Sequence, residues 1–85
     1  LSYEQQKAKR NKLKALEREI EKLFEQIDAS DKELKRLEDE INKSENYTNI
    51  DKITKLLKQK SEIEAKKEED ELLWLEKSEE LNDQA

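Results

Sequence analysis

Apolar residues fall at Leu13, Leu16, Ile20, Leu23, Ile27, Leu34, Leu37 and Ile41, in steps of three and four with Ser30 in the one gap. That rhythm is a heptad seam, with a positions at Leu13, Ile20, Ile27, Leu34 and Ile41 and d positions at Leu16, Leu23, Ser30 and Leu37. A narrow apolar stripe on an otherwise charged helix is not stable alone and has to be covered by another helix. The rest of the chain must therefore supply the cover.

Composition narrows the means. Of the 85 residues 48% are charged and 32% hydrophobic, so a conventional globular core is out of reach. With Gly and Pro both absent there is little vocabulary for strands or tight turns, and what remains suits long helices and coiled coils. High charge also favours disorder, but a disordered polyampholyte has no reason to keep a 3-4 apolar rhythm. The absence of Cys and His removes thiol chemistry, the usual general base and the commonest transition-metal ligand, so no catalytic or metal site and no cofactor is expected in this stretch. The longest apolar run, Leu72 to Leu75, is too short to cross a bilayer, and no signal-peptide core is present. A cytoplasmic location is expected, and the start at Leu1 without Met suggests a piece of a longer chain.

Taken in order, Ser2 followed three residues later by Gln5 fits a capping box that opens helix one. Lys7, Lys9, Arg10, Lys12 and Lys14, set against Glu4, make the opening turns basic. Ser30-Asp31-Lys32-Glu33 also fits a capping box, but the apolar register is unchanged across it, and Ser costs only about half a kcal/mol inside a helix. Helix one is therefore expected to run unbroken over about 3–45. The pattern stops at Ser44-Glu45-Asn46-Tyr47-Thr48-Asn49, a cluster of turn-forming residues. A bend is expected at about 46–49, with Asn46 in the left-handed conformation and Thr48 or Asn49 capping helix two, about 50–82, whose first turn holds Asp51.

The fold expected is all-α, a single antiparallel two-helix coiled-coil hairpin over 1–85. Pairing about this bend brings together positions whose numbers add to about 94, within one turn. Ile53 then faces Ile41, Leu57 faces Leu37, Lys60 faces Leu34, Ile63 lies near Ser30, Trp74 faces Ile20 and Leu81 faces Leu13. Lys60 and Lys67 are expected to lay their stems over helix one and keep their ammonium groups wet, while Asp70 and Glu71 add little. Ten carboxylates between Glu62 and Asp83, opposed by Lys66, Lys67 and Lys77, would lie beside the basic opening and favour the antiparallel pairing. A parallel dimer could use the same seam, but Ser30 and the polar middle of helix two weaken it, and a monomeric hairpin is expected.

Several motifs, in this order and spacing, resemble a known family. They are Leu1-Ser2-Tyr3 followed by Gln6-Lys7, then Leu16-Glu17, Glu19-Ile20-Glu21-Lys22-Leu23, Glu45-Asn46-Tyr47, and Trp74-Leu75-Glu76-Lys77-Ser78-Glu79-Glu80-Leu81. Together they resemble the C-terminal domain of ABC-F ATPases, a family that includes the Uup branch, translation factors and antibiotic-resistance proteins. The resemblance covers essentially the whole chain and implies a helical hairpin attached to the second of two ATPase domains of the same chain. It also implies partners among nucleic acids, ribosomal RNA in most of the family and DNA in the Uup branch. The family usually carries a Pro beside the bend, and this chain has none. The phosphate-binding loop of the ATPase needs Gly and is not in this stretch.

Two surfaces stand out as candidate sites. Lys52, Lys55 and Lys58 on helix two and Lys32, Arg36 and Lys43 on helix one form basic stripes near the bend, where Tyr47 is available to stack on a base. Set against this, Asp31, Glu33, Glu38, Asp39, Glu40, Glu45 and Asp51 nearly cancel those cations, and the formal charge of −5 opposes polyanion binding. The opening basic run reads most simply as neutralised by the acidic half of helix two. The second surface is Leu72, Leu73, Trp74 and Leu75: four consecutive apolar residues cannot all face one partner helix, so some are left to dock a neighbouring domain or a second copy unless Trp74 closes the core. The two function classes are thus a nucleic-acid-contacting arm and a protein-docking or spacer coiled coil.

Overall fold

Helix α1 spans Tyr3–Ile41 and opens with the capping box read from the sequence. The Gln5 N–H donates to Ser2 Oγ at 3.2 Å and the Ser2 N–H donates to Gln5 Oε1 at 3.1 Å, so two otherwise unpaired amides are satisfied reciprocally. The computed structural model describes residues 2–84, so Leu1 of the opening motif lies outside the described residues. The helix passes through Ser30 without a break, and Ser30 is buried in the seam.

The bend differs from expectation in its length and its backbone. Helix α1 ends at Ile41 rather than near 45, the Asn42 N–H donating back to the Glu38 carbonyl at 3.0 Å, and a 3₁₀ turn follows at Ser44–Asn46. Among the described residues none has a positive φ, so Asn46 does not take the left-handed conformation. Instead its buried side chain closes the bend from inside, Nδ2 donating to the Glu40 carbonyl at 2.7 Å and to Glu40 Oε1 at 3.4 Å. The Glu40 carbonyl also accepts from the Lys43 N–H at 3.3 Å, so the side-chain amide reinforces the helix end where a left-handed cap would otherwise act. Asn49 caps the second helix, its Oδ1 accepting from the Lys52 N–H at 3.1 Å, and α2 runs over Ile50–Gln84.

The two helices form an antiparallel hairpin 69 Å long and about 15 Å across. Four ion pairs cross between the helices: Lys52 with Glu40 at 3.0 Å, Lys60 with Glu38 at 3.7 Å, Lys67 with Asp31, and Lys77 with Glu19 at 3.3 Å. Their residue numbers add to 92, 98, 98 and 96, within about one helical turn of the expected 94. The inward positions of α2 are Ile53, Leu56, Lys60, Ile63, Lys67, Asp70, Lys77, Leu81 and Gln84, all buried or half-buried. Leu57, expected opposite Leu37, is instead 50% exposed, and its neighbour Leu56 takes the inward place.

Two further expectations are corrected. Asp70 does not stand aside from the packing: it is buried at a seam position and accepts from Lys66 Nζ at 3.3 Å. The basic opening of α1 is not neutralised by α2 either. The side chains of residues 3–12 are all exposed. Among the described residues no ion pair involves Lys7, Lys9, Arg10, Lys12 or Lys14.

The apolar residues buried outright are Leu16 and Leu37, so little holds the hairpin in excess. Leu37→Ala should cost about 2–5 kcal/mol, whereas Leu57→Ala should stay within about 0.5 kcal/mol. Equal urea midpoints for the two variants, followed by helical circular dichroism, would reject the register. Asp70→Leu removes a buried carboxylate from an apolar seam and should raise the melting temperature; a lower one would show that Asp70 stabilises the pairing.

Candidate functional site

Near the bend, most of the basic residues expected to meet phosphates are held by carboxylates. Lys32 Nζ lies 3.0 Å from Asp28 Oδ2, Arg36 Nε lies 3.1 Å from both carboxylate oxygens of Glu33, and Lys43 Nζ lies 2.9 Å from Glu40 Oε2. Lys52 reaches across from α2 to Glu40 Oε1 at 3.0 Å. Lys55 and Lys58 have no ion pair among the described residues and project from the first turns of α2. Tyr47 is 67% exposed with its hydroxyl donating to the Asn42 carbonyl at 3.2 Å, which fixes the ring at the bend with much of its surface open.

Glu40 is the electrostatic centre of this end. Hydrogen bonds from Lys43, then Lys52, then Asn46 hold its carboxyl down at about 2. The same contact raises Lys43, and the Arg36 pair lowers Glu33 while Glu33 raises Arg36. Farther along, Asp31 and secondarily Glu71 raise Lys67, which sits between them.

The second surface lies at mid-length, where the seam opens on one flank. Phe24 and Ile27 of α1 and Glu68, Glu71, Leu72, Trp74 and Leu75 of α2 line a groove of about 560 Å³. All four residues of the expected docking run are exposed, Leu72 at 58%, Leu73 at 38%, Trp74 at 36% and Leu75 at 49%. Trp74 therefore does not close the core; its ring lines the groove instead. Leu73 faces the opposite flank, beside Glu19, Lys22, Leu23, Gln26 and Lys77.

Phe24, 62% exposed, is the residue that the sequence reading passed over. Its signal was present: an aromatic residue directly after the d position Leu23, outside the seam and among charged neighbours. No group of His, Cys, Asp and Glu among the described residues is placed to hold a metal ion, and no helix among them is long and apolar enough to cross a membrane. Comparison with protein-family models, with curated proteins and with solved structures finds no match.

The lowered Glu40 carboxyl implies a pH dependence of definite sign. Its folded value of about 2 lies below the ordinary 4.5, so its contribution to stability is present above pH 4.5 and is lost as pH falls from 4.5 toward 2. The melting-temperature advantage of the native protein over Glu40→Gln should be present at pH 7 and shrink across that window. An advantage that stays constant down to pH 2 would show that the three contacts do not favour the ionised form.

Proposed function

We propose that this chain is a non-catalytic accessory arm, the coiled-coil hairpin of an ABC-F-type ATPase, that reaches out from ATPase domains of the same protein in the cytoplasm and contacts DNA or ribosomal RNA with its bend. The observation that carries the reading is the pair of uncompensated lysines, Lys55 and Lys58, on the same end of the rod as the open ring of Tyr47. Two ammonium groups and one aromatic face can grip a phosphate backbone and stack a base without sequence-specific readout. The remaining cations of the bend serve the hairpin's own geometry, so the contact is small and strongly weakened by salt.

The docking reading is retained because a specific observation favours it: apolar side chains stand exposed on both flanks at Leu72, Leu73, Trp74 and Leu75. In that reading the hairpin holds a protein partner at mid-length, and the bend only sets its reach.

A titration of the protein with a duplex DNA and with a ribosomal RNA hairpin, between 50 and 200 mM salt, tests the first reading. Lys55→Glu with Lys58→Glu should weaken binding at least tenfold at low salt and flatten the salt dependence by about two ion equivalents, with helicity unchanged. Binding that is absent at 50 mM salt, or indifferent to the double reversal, would overturn it.

A further inference from the structure

The apolar groove does not end at Leu75 and Phe24. Its wall residues Glu68 and Glu71 are shared with a second, polar stretch on the same flank, lined also by Leu34, Glu38, Lys60, Glu64 and Lys67. The two stretches form one trough that is apolar at mid-length and carboxylate-rich toward the bend. Lys60 is already divided between Glu38 and Glu64, and Lys67 between Asp31 and Glu71. Four carboxylates thus share two ammonium groups, and a fifth, Glu68, has no ion-pair partner among the described residues.

We infer that this trough is the seat of a bipartite basic helix, a partner segment with apolar anchors in one half and Lys or Arg in the other, which lies along the flank as a third strand of the coiled coil. The inference rests on the docking reading and specifies its partner. From position 60 to position 75 the trough runs about 22 Å at 1.5 Å per residue, the length of a helix of about fifteen residues. Anchors at i, i+3, i+4 and i+7 would cover Phe24, Leu72, Trp74 and Leu75, and cations beyond them would meet Glu64, Glu68 and Glu38. A second copy in two-fold contact would set one carboxylate-rich trough against another. Four apolar side chains also fall short of the roughly 800 Å² per partner of a stable dimer. Nucleic acids and anionic lipid surfaces are repelled by the same carboxylates.

The sole tryptophan, Trp74, lines the trough and reports on its occupancy. The probe is a synthetic sixteen-residue helix with four leucines at that spacing in one half and four lysines in the other; its control carries glutamates in place of the lysines. The lysine probe should shift Trp74 emission to the blue and bind at least tenfold more tightly than the control at 50 mM salt. Phe24→Ser with Leu75→Ser should weaken it at least tenfold at unchanged helicity, and Leu72→Asn serves if the double variant loses helix. Equal binding of both probes would overturn the basic partner while leaving the docking reading. Response to neither would overturn both. Sedimentation of the protein alone as a dimer that Phe24→Ser dissociates would assign the trough to a second copy and overturn the inference.

Discussion

Everything in this hairpin depends on a mismatch between its two seams. Helix α1 presents a regular row of leucines and isoleucines, whereas α2 answers with Ile53, Leu56, Ile63 and Leu81 interrupted by Lys60, Lys67, Asp70 and Lys77. An apolar row cannot be covered by charges as such, but it can be covered by lysine stems whose ammonium groups escape sideways. The half-buried Lys60, Lys67 and Lys77 do this, and each then finds a carboxylate on α1 at the rim. One set of side chains therefore both covers the seam and bridges the two helices at its rim.

That solution consumes charge locally. The bend is closed by Glu40, which gathers Lys43, Lys52 and Asn46, so the basic stripe seen along the sequence is largely internal wiring. A basic stripe with carboxylates one turn away on the same helix, as Asp28 stands to Lys32, has its counter-ions supplied by the helix itself. Among the described residues the cations without an ion pair lie elsewhere: Lys55 and Lys58 on α2, and Arg18, Lys22, Lys35 and the opening turns on α1.

Apolar surface is redistributed in the same way. Leu72 and Leu75 turn outward while Leu73 and Trp74, on the same face as Asp70, flank the seam, and Phe24 lines the groove from the other helix. The result is an exposed hydrophobic patch at mid-length on a rod that has few apolar residues to spare. Such a patch on so polar a molecule is the usual mark of a contact surface.

Both helices, the capping box at Ser2, the unbroken passage through Ser30, the cap at Asn49 and the antiparallel sense were legible in the residues. Each is a local or nearest-neighbour property: a hydroxyl within reach of an amide, an apolar period, or a cluster of turn formers. The bend's inner closure by Asn46, the choice of Leu56 over Leu57 and the burial of Asp70 were decided by the tertiary structure. Apolar periodicity says roughly which face of a helix turns inward but not which rung meets which across the seam, and adjacent leucines about 100° apart leave open which of the two points inward. Only the paired helices settle that choice, and their pairing brings Phe24 and Trp74 to one groove.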